Sequence, residues 1–447
     1  MVNFLLVGNG AREHAIAESI CKNSKIRLFA FVSANNPGIV RLCMQTGGKA
    51  KVGDIHSPLQ VKEFALQNGI ELAFPSPDAV LAAGVTDALL DAGISVAAPT
   101  KEAARLEWDK AYCRQLLRKH KVDGLPNFEV FETEKEAHSF IDELEGKVAV
   151  KPSGLTGGKG VKVSGFHLQS VQEAKEYASQ LLKEKHSGLS TIVIEEKLDG
   201  EEFSLQAFSD GKKVYGMPMV QDHKRAYEGD IGPNTGGMGS YSGAGLLLPF
   251  ATKKHYTEAL RIMQKTIEAF KKETKQPYIG VLYGGFMITA KGVKLIEYNS
   301  RFGDPEAMNV LSVLKSDLLS LFFGMAQGKI KSNPKFAKKA TVCKYLVPEG
   351  YPIKSTTDQP LSIDMAKISK AGAKMFFASV YEKDGTIFTM SSRSLAFVGI
   401  ARSIAQAEKI AEEGCSAVSG KVWHRKDIGT PELIQKRKKH LQSIGAL

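Results

Sequence analysis

A glycine-rich segment flanked by lysines is the first place in this chain where residue types and spacing predict chemistry. The segment VKPSGLTGGKGV spans 150–161 and follows a short apolar run that predicts a buried strand ending at Lys151. Its four glycines allow backbone to approach a ligand closely and to direct N–H groups at anionic oxygens. The segment lacks the Walker A pattern, because Gly160 follows Lys159. It indicates a polyphosphate loop, with a solvated hairpin tip as the alternative.

A second candidate site lies where a strand meets an arginine-bearing turn. The run VKLIEYN at 293–299 predicts a strand, and Glu297 and Asn299, two residues apart, would share one of its faces. Both offer hard oxygen ligands of the kind that Mg²⁺ takes together with phosphate oxygens. The turn SRFGDPE at 300–306 then places Arg301 before a helix. A solvated strand face is the alternative, but beside a phosphate loop the pattern favours a metal site.

Three further segments could complete a nucleotide and substrate site. The run IVIEEKLDGEE at 192–202 passes from an apolar strand into acidic residues, which could meet an adenine edge and ribose hydroxyls or simply end in a charged turn. The run GPNTGGMG at 232–239 has four glycines in eight residues and predicts a second close-approach loop. Between them lies QDHKR at 221–225, in which His223 sits among charged neighbours.

The N-terminal segment predicts an anion site of a different kind. GNGARE at 8–13 follows the first strand and opens a helix, so its backbone N–H groups and the helix N-terminus would face a ligand. Glu13 replaces the third glycine of G-x-G-x-x-G, and the second strand runs into SANNPG at 33–38 without the acid that holds an NAD ribose. A phosphate-bearing ligand is therefore favoured over NAD, with a plain tight turn as the alternative. Asp78, in Ser76-Pro77-Asp78 after another strand, could accept from sugar hydroxyls or cap a helix.

The elements that must position these residues fall into three regions. Strands and helices alternate through 1–105, with one helix over 80–92, which predicts a doubly wound parallel sheet, and a charged helical linker follows to Lys119. Within 106–330, residues from about 126 to 194 predict a small α+β unit with a helix over 134–143, and a long helix covers 256–273. Residues 331–447 again predict an α+β domain. The fold class is therefore multidomain α/β and α+β.

Composition limits the function classes. The 447 residues are 43% hydrophobic and 24% charged, which is typical of a soluble globular protein of about three domains. No run of about 18 apolar residues predicts a membrane span, and the start lacks the features of a signal peptide. The net charge of +12 comes from scattered residues, so a lysine-rich surface is favoured over nucleic-acid binding. Five dispersed cysteines without a C-x-x-C pair indicate neither zinc nor disulfides, and they suit the cytoplasm.

Taken together, these motifs resemble the glycinamide ribonucleotide synthetases, a family of ATP-grasp ligases. The resemblance runs nearly end to end, and QDHKR, GPNTGGMG and RFGDPE are specific to this family rather than to ATP-grasp enzymes at large. The chain departs from the family pattern at Pro152-Ser153, where K-A-D or K-A-S is usual, and at SPDAV (76–80), where G-P-E-A-P is common. The matching runs are GNGAREH (8–14), SPDAVL (76–81), VKPSGLTGGKGV (150–161), EEKLDGEE (195–202), QDHKR (221–225), GPNTGGMG (232–239), IEYNSRFGDPE (296–306) and RKDIG (425–429).

The resemblance implies a fold and an activity. It implies a Rossmann-like substrate domain (1–105), a central ATP-grasp domain (106–330) with a lid (about 126–194), and a C-terminal α+β domain (331–447). The implied enzyme is a cytoplasmic ligase of purine biosynthesis that uses ATP and Mg²⁺ or Mn²⁺. It would join glycine to 5-phosphoribosylamine through glycyl phosphate, giving glycinamide ribonucleotide, ADP and phosphate. Partners would be small molecules, not nucleic acid or membrane, and the chain a monomer or weak homodimer. Another ATP-grasp ligase or carboxylase of purine metabolism is the alternative.

The resemblance also implies roles for individual residues. Lys151, Asp222 and Arg301 would be catalytic, and Glu297 and Asn299 would bind the metal. Met287 stands where some ATP-grasp enzymes carry a further metal-binding acid, so only two protein ligands are expected. The residues implied at ATP are Lys151, Gly157, Gly158 and Lys159 at the phosphates, Glu195, Glu196 and Leu198 at the adenine and Glu202 at the ribose. The residues implied at glycine, the transferred phosphate or phosphoribosylamine are Gly8, Gly10, Ser76, Asp78, Asp222, Asn234, Thr235, Gly236, Gly237, Arg301 and Asp304.

Overall fold

Strands and helices alternate through the first hundred residues, and in the computed structural model they form a parallel sheet. The structure describes residues 1–156, 160–184 and 188–447. The N-terminal elements are β1 (Val2–Val7), α1 (Ala11–Ile20), β2 (Ile26–Val32), α2 (Pro37–Gln45), β3 (Ala50–Val52), α3 (Pro58–Gln67), β4 (Leu72–Pro75), α4 (Asp78–Ala82), α5 (Val85–Asp91) and β5 (Ser95–Val96).

The strand order of this sheet places two of the predicted site segments side by side. The order is β3-β2-β1-β4-β5, and every pair is parallel. The strand order reverses at the β1–β4 pair, and ligands of such sheets bind at the carboxyl ends of strands at this point. The turns at 8–10 and 76–78 therefore meet there. The predicted doubly wound parallel sheet is confirmed.

Local details differ from the sequence expectation in three places. The single helix expected over 80–92 is two helices, because Gly84 adopts a left-handed conformation with φ +86°. The elements α2 and β3 were not anticipated from the residues at 37–52. The stretch interpreted as a helical linker is α6 (Lys101–Trp108) and α7 (Lys110–Lys119), separated by Asp109, whose extended backbone and side chain cap α7.

A small antiparallel sheet with two helices follows. Its elements are β6 (Phe128–Phe131), α8 (Glu134–Glu143), β7 (Val148–Pro152), β8 (Lys162–Val163), α9 (Val171–Lys183) and β9 (Ile192–Glu196). The strand order is β6-β9-β7-β8. Val148 and Val150 of β7 pack with the helices in a separate apolar core. Because strand side chains alternate between faces, Lys151 projects from the opposite face. The predicted small α+β unit is confirmed.

The remaining elements build a ten-stranded antiparallel sheet, a four-stranded sheet and a two-stranded sheet. Those before residue 330 are β10 (Glu201–Asp210), β11 (Val214–Gly216), β12 (Val220–Asp222), β13 (Arg225–Tyr227), β14 (Ile231–Asn234), β15 (Gly239–Ser242), α10 (Lys253–Thr274), β16 (Ile279–Thr289), β17 (Gly292–Asn299), α11 (Glu306–Val313) and α12 (Leu318–Ala326). Those after it are β18 (Ala340–Pro348), β19 (Pro360–Ile363), α13 (Met365–Ala371), β20 (Lys374–Phe377), β21 (Val380–Lys383), β22 (Thr386–Thr389), β23 (Leu395–Ala401), α14 (Ile404–Cys415), β24 (Val418–Ser419), β25 (Val422–Trp423) and α15 (Pro431–Ser443).

One sheet joins the central and C-terminal regions. Its order is β17-β16-β10-β12-β15-β18-β23-β20, with β15 paired antiparallel to β18. Strands from before and after residue 330 thus share one hydrogen-bonded ladder. Within it, β16 and β17 are neighbours, and Glu297 of β17 lies opposite Gly285 of β16. In the described part of the chain, no helix combines the length and apolar character needed to cross a membrane.

Candidate functional site

Lys151 is buried at the end of β7 against a glutamate of β9. Its ammonium donates to Glu195 Oε2 at 2.7 Å and to the carbonyl of Ile296 at 3.1 Å. The other Glu195 oxygen accepts from Arg114 Nε of α7 at 2.7 Å. Burial raises the pKa of Glu195, but Arg114 and Lys151 outweigh burial and hold that pKa below its usual range. Both oxygens of the Glu195 carboxylate are therefore paired with cationic side chains. A nucleotide at this strand end would have to contact the backbone instead.

The base of the glycine-rich loop is fixed to the start of α7. Ser153 O accepts from Lys110 N at 3.0 Å, and Ser153 Oγ accepts from Ala111 N at 3.0 Å. The same hydroxyl donates to Asp109 Oδ1 at 2.8 Å. Ser153, one of the departures from the family pattern, is thus an anchor of the loop. Gly157, Gly158 and Lys159 lie outside the described residues.

A small cavity lies between the small α+β unit and the central sheet. Lys151 and Glu195 of the small unit line one side of the cavity, and Lys110 of α7 and Glu297 of β17 line the other. Beyond it, Glu196 is half-buried at the end of β9 and accepts from Asn127 N at 2.9 Å through Oε1, while Leu198 is half-buried in the turn that follows. The residues predicted to contact ATP therefore surround one cavity only in part.

The predicted metal ligands, Glu297 and Asn299, each lie close to a cationic side chain. Glu297 Oε1 is 3.6 Å from Lys224 Nζ, and Asn299 Oδ1 accepts from Arg301 Nη2 at 3.1 Å. Burial raises the pKa of Glu297, but Lys224, Lys110 and other nearby cations outweigh burial and bring it to about 2. An ionised carboxylate and an amide oxygen on one strand fit a hard divalent cation that also takes phosphate oxygens. Among the described residues, no group of three His, Cys, Asp or Glu side chains forms an all-protein metal cage.

Lys224 joins the predicted ribose residue to the predicted metal ligand. Its ammonium lies 4.0 Å from Glu202 Oε2 as well as 3.6 Å from Glu297 Oε1. Burial lowers the pKa of Lys224, but Glu297 and Glu202 outweigh it, so that pKa lies above its usual range. Its carbonyl accepts from both N and Oγ1 of Thr235, at 2.7 and 2.9 Å. Lys224 therefore holds the 232–239 loop beside Glu297.

Asp222 is a half-buried carboxylate under that loop. Burial raises its pKa well above the usual range, and the neighbouring Glu306 carboxylate raises it further. Gly237 has φ +104°, and a Cβ there would lie 2.7 Å from Asp222 Oδ1, so only glycine fits. His223, between Asp222 and Lys224 in the sequence, is buried, and burial lowers its pKa to about 3. Alternation along the chain turns His223 away from Asp222 and towards Tyr241.

Arg301 lies where the N-terminal sheet meets this cleft. Its Nη2 is 3.2 Å from Glu107 Oε1 of α6, and Glu107 Oε2 accepts from Ser300 N at 2.7 Å. Burial raises the pKa of Asp78, but Arg301 and Arg12 outweigh burial and hold it below its usual range. The predicted sugar-binding carboxylate is therefore ionised and faces the arginine predicted at the transferred phosphate.

The N-terminal glycine turn is engaged by a carboxylate from its own helix. Glu13 Oε2 accepts from Gly10 N at 2.7 Å, and Glu13 Oε1 accepts from Ser76 Oγ at 2.5 Å. Gly10 itself has extended backbone with φ −80°, whereas Gly8 has φ +121°. Gly8 is thus the position that requires glycine. Glu13, noted in the sequence only as a missing glycine, occupies donors that were predicted to bind phosphoribosylamine.

Asp304 is held by residues of the C-terminal region. Its Oδ1 accepts from Tyr345 OH at 2.5 Å, and Arg393 Nη2 is 3.1 Å from its Oδ2. Arg393 Nη1 also donates to the carbonyls of Gly236 and Gly237 at 2.6 and 3.0 Å. Arg393 therefore fixes the position of the 232–239 loop relative to the turn that carries Arg301.

Models of three protein domains match this chain in order. They are the phosphoribosylglycinamide synthetase N domain over residues 2–107, its ATP-grasp (A) domain over 108–307 and its C domain over 341–431. The phosphoribosylamine–glycine ligase of Methanosarcina barkeri is 49% identical over 445 residues, covering 99% of this chain and 100% of that protein. The chain belongs to the phosphoribosylglycinamide synthetase family.

Other members of the phosphoribosylglycinamide synthetase family agree with this assignment. The phosphoribosylamine–glycine ligase of Pyrococcus horikoshii is 46% identical over 441 residues, covering 99% of this chain and 98% of that protein. The crystal structure of the Thermotoga maritima phosphoribosylamine–glycine ligase superposes with a TM-score of 0.79 at 28% identity, covering 96% of this chain and 100% of that one. A biotin carboxylase from Campylobacter jejuni shares the fold alone, with a TM-score of 0.76 at 14% identity over 99% of this chain and 98% of that one.

Several residues at the site of this family member were not found by sequence reasoning. Lys224 lies within the QDHKR motif, and Glu13 lies where the third glycine of G-x-G-x-x-G would stand, so the sequence could have indicated both. Lys110, Glu107 and Arg393 carried none, because each reaches the site only through tertiary packing. The roles predicted for the site residues remain predictions, while their positions show that most of them converge on one cleft.

Proposed function

We propose that this protein is an ATP-dependent ligase that joins glycine to 5-phosphoribosylamine, giving glycinamide ribonucleotide, ADP and phosphate. The observation that carries the proposal is one cleft in which the predicted phosphate lysine and metal ligand meet the family-specific loop. Lys151 and Glu297 line the same cavity, and Lys224 connects Glu297 to the loop at 232–239. The residues predicted for the acceptor approach from the N-terminal sheet, with Asp78 beside Arg301.

In the first step, a glycine carboxylate oxygen attacks the γ-phosphorus of ATP and ADP leaves, which forms glycyl phosphate. Lys151 neutralises phosphate charge from the lid, while Lys110, Lys224 and Arg301 do so from the elements outside it. Glu297 and Asn299 would hold Mg²⁺ or Mn²⁺, which would supply further charge neutralisation at the phosphates. The work of the protein in this step is positioning and charge compensation.

Asp222 suits the glycine ammonium. Its half-buried carboxylate lies near Glu306, and both the partial burial and that neighbour oppose its ionisation. An ammonium group placed between them would compensate the two carboxylates and favour the ionised form of Asp222. The same contact would orient the glycine carboxylate towards Lys224 and Arg301. A larger amino acid would have to fit its side chain against Gly237, where even a Cβ on the loop would clash.

In the second step, the amine of phosphoribosylamine attacks the acyl carbonyl carbon, phosphate leaves and the amine releases a proton. The turns at 8–10 and 76–78 hold the acceptor, with Asp78 accepting from its ribose hydroxyls. The acceptor phosphate competes with Glu13 for the N–H group of Gly10, which Glu13 now occupies. Closure of the lid over the cavity excludes water that would hydrolyse the acyl phosphate.

This assignment divides the work among the three regions. Residues 1–105 bind the acceptor, residues 106–330 bind ATP and glycine with 126–194 as the lid, and residues 331–447 brace the glycine loop through Arg393. We place the enzyme in the cytoplasm, where its five free cysteines would stay reduced. Its partners are small molecules, and it acts as a monomer or weak homodimer.

A single assay tests the proposed activity. ADP release is measured with glycine and phosphoribosylamine together, with each alone, and with bicarbonate in place of glycine. Stoichiometric ADP and glycinamide ribonucleotide are expected only with both substrates. Turnover supported by bicarbonate instead would favour an ATP-grasp carboxylase and contradict the proposal.

A further inference from the structure

Asn36 is a buried amide whose whole hydrogen-bonding capacity is used. It is 1% exposed and caps α2, where Oδ1 accepts from Gly38 N at 3.0 Å and Ile39 N at 3.2 Å. Its Nδ2 donates to the carbonyl of Asn9 at 2.8 Å and to the carbonyl of Phe377 at 2.8 Å. One side chain therefore joins the middle of the N-terminal glycine turn to the C-terminal region.

The contact with Phe377 is reinforced from the first helix. Phe377 N donates to His14 Nδ1 at 2.9 Å, and the His14 ring stacks on the Phe377 ring at 5.8 Å. Burial lowers the pKa of His14 to about 3, so the imidazole is a neutral acceptor at physiological pH. Both backbone polar groups of Phe377 thus end on side chains of the N-terminal sheet region. This docking fixes the end of β20 against the glycine turn.

The residues after Phe377 continue to the other half of the site. Ala378 N donates to Ser394 O at 2.9 Å, and Ser379 N donates to Arg393 O at 2.8 Å. The Arg393 side chain in turn contacts the carbonyl of Gly236 and the carboxylate of Asp304. A continuous series of hydrogen bonds therefore runs from the N-terminal turn at 8–10 to the loop at 232–239.

We propose that Asn36 is a positioning residue for the second step of the reaction, which sets the acceptor turn at the correct distance from the acyl phosphate. The inference rests on the proposed function and extends it, since it assigns a role to a residue far from the ATP phosphates. Asn36 touches no predicted substrate position itself and acts through the carbonyl of Asn9. Loss of its two donated bonds should misplace the acceptor while leaving ATP and glycine in place.

Asn36→Asp isolates these two bonds. The aspartate keeps an oxygen that caps α2, but it replaces the amide donor with an oxygen that faces two carbonyl oxygens. Asn36→Ser, which also caps helices well, removes the two amide N–H donors without adding charge. Ser57→Asp is the matched control, because Ser57 caps α3 in the same region through Gln60 N and its described hydrogen bonds stay within residues 54–61.

Two measurements separate the steps. Glycyl phosphate formation is followed without phosphoribosylamine by trapping with hydroxylamine as the glycine hydroxamate. The full reaction is followed with phosphoribosylamine varied, recording both KM and the ADP released per product. In Asn36→Asp and Asn36→Ser we expect unchanged hydroxamate formation, a KM for phosphoribosylamine raised roughly tenfold or more, and excess ADP from hydrolysed acyl phosphate. Ser57→Asp should match the wild type.

The outcomes distinguish the inference from the function on which it rests. A wild type that makes no hydroxamate and no glycinamide ribonucleotide overturns the proposed function. An active wild type with an unchanged KM and coupling ratio in a folded Asn36→Ser overturns the inference alone. An equal decline of both steps in Asn36→Ser also overturns it, because that result would show a general structural role. If Asn36→Asp does not fold, Asn36→Ser decides the question.

Discussion

Glu297→Gln is the substitution whose consequences the structure predicts in most detail. The carboxylate lies among Lys224, Lys110, Lys151 and Arg301, which together bring its pKa from 4.5 to about 2. A difference of this size corresponds to on the order of 3 kcal/mol of interaction between the ionised form and its surroundings. The side chain is 28% exposed, so solvent screening reduces the expected loss of unfolding free energy to about 2 kcal/mol.

The pH dependence of this loss follows from the direction of the shift. Because the folded-state pKa is depressed, the carboxylate stabilises the protein above the unfolded value of 4.5 and loses this effect as the pH falls towards about 2. The wild type and Glu297→Gln should therefore differ in stability at neutral pH and converge in acid. Turnover should fall much further than stability, because the variant loses charge compensation at the metal and the transferred phosphate.

Urea unfolding without ligands at several pH values measures the first effect, and glycine-dependent ADP release at limiting Mg²⁺ measures the second. Glu268→Gln is the control, since Glu268 is an exposed residue of α10 whose carboxylate contacts only Gln264 in the described hydrogen bonds. Equal stability of Glu297→Gln and wild type at pH 7, together with near wild-type turnover at limiting Mg²⁺, would refute both the electrostatic argument and the metal assignment.

Three further outcomes are expected. Lys151→Met should slow turnover by roughly a hundredfold and weaken ATP binding, yet remain folded because Arg114 still pairs with Glu195; unchanged ATP affinity would contradict this. Gly8→Ala should lower the melting temperature more than Gly10→Ala, since only Gly8 has positive φ, +121°. Burial raises the pKa of Glu107 from 4.5 to about 7, so wild-type stability should decline as the pH rises through that range. Urea unfolding of Glu107→Gln should lack this decline.

The sequence was sufficient for elements with strong local patterns. The helix predicted over 134–143 has those bounds in the structure, because its apolar spacing and its flanking residues agree. The helix predicted over 80–92 was wrong as one element, since Gly84 can continue a helix or break it and only packing decides. The pairing of β15 with β18 joins residues about a hundred positions apart. No local pattern encodes a contact at that separation.

The site shows the same division between local and tertiary information. Glu297 and Asn299 were found because they lie on one strand, so their spacing alone places them on one face. Arg393 was missed because an isolated arginine in SSRS has no pattern, although its guanidinium contacts two predicted loops. The resemblance implied Glu195 at the adenine, while its side-chain partner Arg114 comes from α7 and has no sequence signal.

The shared sheet limits how members of this family can exchange parts. The residues after 340 do not form an independent domain, because β18 pairs with β15 and its Tyr345 hydrogen-bonds to Asp304. A chimera that takes its last quarter from a relative must keep the register of Gly239–Ser242 against Thr341–Lys344, and it must also supply the equivalent of Arg393. Recombination at the apparent boundary near residue 330 would therefore cut through the site itself. The small unit at 128–196 has its own core, so it could be exchanged whole if Lys151 and Glu195 are kept for their contacts with Ile296 and Arg114.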